Sequence, residues 1–140
     1  MLSHEDKQKI KDYFAKQPNI EVVYLFGSQS DGKANSLSDI DLAVLFSEST
    51  TPDKRFDQKL TIMGELGSIL KTNDIDLVDL NSAKIALRFS AIENRDIIFL
   101  KNNSARVLFE ADTMSRYQDY KYYISENTKN SLASISVMDI

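Results

Sequence analysis

Two apolar runs constrain this chain more than anything else in it. Ile20-Glu21-Val22-Val23-Tyr24-Leu25-Phe26 and Leu42-Ala43-Val44-Leu45-Phe46 flank a polar stretch that opens on Gly27-Ser28 and closes on Asp39-Ile40-Asp41. Both runs are β-branched and aromatic enough to read as buried strands. The ten residues between Ser28 and Asp39 are rich in Ser, Gly, Asn and Asp, the composition of an exposed loop. The order is therefore strand, glycine-led loop, strand, with two acids where the second strand begins.

Side chains on a strand alternate faces, so Asp39 and Asp41 point one way while Ile40 and Leu42 point into the core. Cα atoms two residues apart on a strand are roughly 6.5 Å apart, so the two carboxylates can converge on one metal ion. Magnesium suits such a pair, because it is hard, prefers oxygen and commonly takes one or two carboxylates plus substrate phosphates. Neighbouring acids repel each other, and a divalent cation removes that cost. Gly27 lets the backbone approach a phosphate. Ser28 offers a hydroxyl and an N–H to β- and γ-phosphate oxygens, and Lys33 is a further candidate phosphate contact. Either a Gly-Ser turn or an Asp-x-Asp pair alone is usually a plain turn or a solvated strand end. Together, at this spacing between two core strands, they outline a metal–triphosphate site.

The rest of the composition narrows the field. At 140 residues the chain makes one domain with a core. A net charge of −4 argues against broad nucleic-acid binding, which needs a basic face. With no cysteine, disulfides, thiolate metal sites and cysteine nucleophiles are excluded. The single histidine, His4, is expected in a solvated N-terminal position, so a histidine-based site is not expected. No apolar stretch approaches a membrane span and the first residues do not form a signal sequence, so the chain reads as cytoplasmic.

Along the chain, Ser3 with Asp6 resembles a capping box opening a helix to about Lys16, and Pro18-Asn19 ends it. A helix is expected from about Asp53 to Lys71, with Phe56, Leu60, Met63, Leu66 and Ile69 at helical spacing. Asp74–Leu80 reads as a strand, Ser82–Asn94 as a helix, Asp96–Leu100 as a strand and Ser104–Glu126 as a long helix. This order suits an α/β (α+β) chain with a single mixed sheet and helices packed mainly on one side. The domain is expected to span 1–126. Residues 127–140 form a Ser- and Asn-rich tail, read as a loose end or a strand-like arm that docks on a partner.

On the third strand, alternation sets Asp74 and Asp76 on one face and Asp79 with Ile75 and Leu77 on the other. Lys54, Arg55 and Lys59 read mainly as a solvated helix face, and Arg88 is a candidate contact to nucleotide or partner. Tyr117, Tyr120 and Tyr123 recur at i, i+3 spacing, which suits helix packing or, if exposed, a protein interface.

Gly27-Ser28, ten residues, then Asp39-x-Asp41 resembles the signature of the DNA polymerase β-type nucleotidyltransferase superfamily. The short chain resembles its minimal nucleotidyltransferase (MNT) branch, in particular the antitoxins of HEPN/MNT toxin–antitoxin pairs, over roughly residues 1–110. The resemblance implies the nucleotidyltransferase fold and a third acid from a later strand. Asp76, in Asp76-Leu77-Val78, fits the family pattern, with Asp79 the alternative. It further implies Mg²⁺ held by Asp39, Asp41 and Asp76, ATP as substrate, and a HEPN ribonuclease toxin as partner, silenced when AMP is moved to one of its hydroxyls, a tyrosine. The alternatives are an antitoxin that neutralises by docking alone, or transfer to a small molecule such as an aminoglycoside.

Overall fold

The computed structural model describes residues 2–26, 40–93 and 96–138, with side chains as far as Lys129. The elements run α1 (His4–Ala15), β1 (Ile20–Phe26), β2 (Ile40–Phe46), α2 (Pro52–Leu70), β3 (Ile75–Asp79), α3 (Ile85–Glu93), β4 (Ile97–Leu100) and α4 (Asn103–Met138).

Local chemistry sets these boundaries. The expected capping box is present: the Ser3 side chain accepts from the Asp6 N–H, and the Asp6 carboxylate accepts from the Ser3 N–H. Thr51 caps α2 ahead of Pro52, whose fixed φ suits the first helical turn. At the other end of α2, Lys71 takes a left-handed conformation (φ 57°), and the Thr72 N–H donates to the Gly67 carbonyl at 3.0 Å.

The four strands lie in the order β3-β2-β1-β4. β1 pairs antiparallel with β2 and with β4, while β2 and β3 are parallel, as a strand–helix–strand connection through α2 requires. The sheet is mixed and the chain α+β, as the sequence indicates.

The layering differs from the expectation of helices mainly on one side. One core packs α1 and α2, through Ile10, Phe14, Ile62 and Leu66, against Val23, Leu42, Val44 and Leu77. A second core lies on the opposite face, where Ala91 and Ile92 of α3 and Phe109 of α4 meet Val22, Tyr24, Ala43 and Leu45. Two helices thus cover each face. The cause lies in β1, where Val22, Val23, Tyr24 and Leu25 are all fully buried, so the strand has no solvated side.

α1 and α2 meet near Tyr13, whose phenol is pushed up to about 12, first by burial and then by the charge of Glu65. The last helix also departs from expectation. The 127–140 segment, read as a loose end or an arm, is helical as far as Met138, in one 36-residue helix with the stretch before it.

Candidate functional site

Asp41 enters the structure through register. It is the second residue of β2, opposite Phe26 of β1 on one side and opposite Asp76 of β3 on the other. Since β2 and β3 are parallel, paired residues project from the same face, and neighbouring strands are about 4.8 Å apart. Ile40 and Leu42, on either side of Asp41, lie in the α1/α2 core. Asp41 and Asp76 therefore share the α3/α4 face, at the end of the sheet where β2 and β3 begin. The Ile40 N–H donates to the Asp74 carbonyl at 2.8 Å, so the two strands are hydrogen-bonded from their first residues. Asp41 is half-buried and Asp76 exposed, the latter on the strand that ends the sheet among the described residues.

Asp79 is engaged elsewhere. It faces α2, where its carboxylate accepts from Arg55 Nε at 2.8 Å, from the Asn81 N–H at 3.0 Å and from Ser82 Oγ at 3.0 Å. Arg55 also donates to the Thr50 carbonyl at 2.7 Å. Both side chains are largely buried, so this is a structural pair rather than a free acid and a free base. Asp76 therefore stands beside Asp41, and Asp79 is held on the opposite face.

Gly27, Ser28, Lys33 and Asp39 lie outside the described residues. Among the described residues no group of three His, Cys, Asp or Glu side chains is gathered as a metal site. Asp41 and Asp76 supply two of the three expected carboxylates in adjacent register. Their donors are hard oxygens, which fit magnesium and not a soft metal.

Arg88 stands far from these acids. Its Nη2 donates to the Asn81 carbonyl at 2.8 Å, and its guanidinium lies 5.7 Å from the centre of the Phe109 ring. Asn81 in turn clips the end of β2, bonding both the N–H (2.8 Å) and the carbonyl (3.0 Å) of Phe46. From Asp41 to Phe46 is five residues of strand, about 16 Å, so Arg88 does not reach a phosphate held at Asp41. A cavity of about 830 Å³ beside Arg88, Phe46, Asn102 and Phe109 lies at that same far end and is not lined by either acid.

One arrangement on the face that carries Asp41 and Asp76 has little signature in sequence. Tyr24 is fully buried, and its hydroxyl donates to Glu110 of α4 at 2.7 Å, while Arg106 Nη1 donates to the same carboxylate at 3.1 Å. The Arg106–Glu110 spacing is visible as an i, i+4 pair. That it lies over Tyr24 is not, because 86 residues separate the two partners. This network ties α4 across the face that carries Asp41 and Asp76.

Comparison with known proteins places the chain in a family. Residues 8–104 match the model of the family described as polymerase beta, nucleotidyltransferase. The protein adenylyltransferase MntA of Shewanella oneidensis is 33% identical over 101 residues, covering 72% of this chain and 68% of that protein. Among solved structures, a crystal structure of a toxin–antitoxin with AMP-PNP contains a chain that superposes with a TM-score of 0.69 at 27% identity, covering 94% of this chain and 99% of that one. A structure of a tri-AMPylated Shewanella oneidensis HEPN toxin in complex with its MNT antitoxin gives a TM-score of 0.64 at 26% identity, covering 90% and 98%. No described helix is long and apolar enough to cross a membrane.

Proposed function

The chain belongs to the polymerase beta nucleotidyltransferase family, and we propose on that footing that it is a protein adenylyltransferase acting as an antitoxin. It moves AMP from ATP to a hydroxyl, a tyrosine's, on a HEPN ribonuclease toxin and so inactivates it. The observation that carries this reading is the register pairing of Asp41 with Asp76 at one end of the sheet, in a chain 33% identical to MntA over 101 residues.

Asp39 and Asp41, completed by Asp76, would hold magnesium, which supplies charge neutralisation for the triphosphate when bound. Gly27, Ser28 and Lys33 hold the phosphate chain. The acceptor oxygen attacks the α-phosphorus, forming the new O–P bond as the bond to the β-phosphate oxygen breaks and pyrophosphate leaves. Asp76 takes the hydroxyl proton, within hydrogen-bond reach of an acceptor that approaches the edge of β3. Positioning and fixed charge supply most of the rate for such an in-line displacement.

The test is intact mass spectrometry of the product of the gene neighbouring this chain's, after incubation with the chain, ATP and Mg²⁺. A gain of whole AMP units, absent with Asp41→Ala, is expected. No gain, with the two proteins still co-purifying, would replace transfer by neutralisation through docking alone.

A further inference from the structure

α4 has a direction and a length that the sheet alone does not explain. It starts at the far end, where the Lys101 and Asn102 N–H groups donate to the Glu21 carbonyl of β1 at 2.9 and 3.2 Å. Eight residues on, Glu110 accepts from Tyr24, the middle of the same strand. The helix therefore runs along β1 towards Phe26, the register partner of Asp41. From Tyr24 to Phe26 is about 7 Å of strand, or about five residues of helix at 1.5 Å each. Beyond about Met114, then, α4 passes the end of the sheet that carries the acids, and it continues to Met138.

Burial changes at that point. Glu110 and Thr113 are buried and Tyr117 is half-buried, but from Gln118 to Lys129 every side chain except half-buried Glu126 is exposed. The aromatic seam that joins α4 to α3 does not stop there. Phe89 stacks on Tyr117 at 3.8 Å, Tyr117 meets Tyr120 at 6.1 Å, and Tyr123 and Ile124 follow on the same stripe with nothing over them among the described residues. Tyr123 is 63% exposed. A helix of this kind gains little from its own propensity in water, and its stability comes from packing an apolar face. The stretch carries Asp119 and Glu126 against Lys121 and Lys129, a balance that does not suit a phosphate-rich partner. Exposed tyrosines on a rigid helix are the residues that anchor protein interfaces.

We infer that the outer half of α4, from Gln118 onward, is the docking element for the protein acceptor, receiving an apolar strip of the HEPN toxin against Tyr120, Tyr123 and Ile124. The inference rests on the protein-acceptor reading and deepens it. The occupant is the acceptor because this segment overhangs the end of the sheet that carries Asp41 and Asp76. A partner seated there has its hydroxyl within the approach to the acids.

The test uses the full chain with Tyr120→Ala, Tyr123→Ala and Ile124→Ala combined, since alanine preserves the helix, and Tyr123→Arg as a single second variant. Binding to the purified HEPN toxin is measured in an Asp41→Ala background, so that the toxin stays unmodified. Both variants are expected to weaken Kd at least tenfold, with circular dichroism unchanged. In the active background the KM for toxin is expected to rise by the same factor while kcat stays within twofold. A Kd that moves less than twofold overturns the inference. So does an unchanged Kd accompanied by conversion of the isolated chain from dimer to monomer, which would make the face a self-interface. No binding or modification by the unsubstituted chain overturns the function reading and this inference together.

Discussion

Asp76 and Asp79 are three positions apart in sequence and a full face of the sheet apart in space, and their substitutions should separate accordingly. Asp41→Asn and Asp76→Asn remove charge from the end of the sheet. Each is expected to cut AMP transfer at least about a hundredfold, the scale of losing a fixed electrostatic contact in a displacement of this kind, and for Asp76, whose side chain is exposed, the melting temperature should not change. Asp79→Asn should do the reverse. It leaves the Arg55 guanidinium without its counter-charge at side-chain exposures of 11% and 17%. That costs about 2 kcal/mol, below the range for a fully buried pair, and lowers Tm by about 6 °C for a domain of this size. Transfer rate per folded molecule should hold. A hundredfold rate loss in Asp79→Asn with wild-type Tm would return the third-acid role to Asp79. Strand alternation alone made the face of each acid legible in the sequence. The Arg55–Asp79 contact was not legible, because nothing in a helix-surface arginine announces the strand it will lie against.

Among the elements, α2 holds two glycines three positions apart that have opposite reasons to be there. A Cβ built on Gly67 would lie 2.8 Å from the Thr72 carbonyl oxygen, so the turn that closes the helix requires the missing side chain. At Gly64 nothing stands within 4 Å of such a Cβ. Gly64→Ala is therefore expected to stabilise by about 0.5–1 kcal/mol, the helix-interior difference between the two residues. Gly67→Ala should destabilise by about 1–2 kcal/mol, as an overpacked backbone contact does. Urea unfolding of the two variants reads both signs, and equal shifts would contradict the distinction. On β1 the Tyr24 hydroxyl is one of the groups holding the Glu110 carboxylate, so Tyr24→Phe should cost about 1–3 kcal/mol. Calorimetric Tm checks it, and an unchanged value would mean the network does not fasten α4.

The order of elements was legible from periodicity and caps. The two-sided layering was present in β1 as four consecutive apolar residues, which a strand solvated on one face does not carry. The end of α4 was hidden for a different reason. Residues 127–131 are Asn, Thr, Lys, Asn and Ser, with no apolar residue before Leu132, and helix continuity through them follows from the helix already formed before them rather than from local preference.

For the molecule as a whole, the sheet and its two cores separate what folds the domain from what reaches beyond it. The described contacts of α4 with the domain end near Tyr117, where Phe89 stacks. From Gln118 to Lys129 the described side chains are exposed except half-buried Glu126, and surface changes away from packing usually shift stability by no more than about 0.5 kcal/mol. A chain ending at Glu126, the boundary proposed for the nucleotidyltransferase domain, should therefore melt within about 2 °C of the longer one. It should also bind ATP with the same affinity, because Asp41 and Asp76 lie on β2 and β3, far from residue 126 in sequence. A Tm lowered by more than about 5 °C would show that the last turns of α4 pack on the domain and belong to its core. An unchanged Tm joined to weaker binding of the HEPN toxin would assign those turns to partner recognition. Thermal unfolding and toxin affinity, measured on one preparation of each length, distinguish the two.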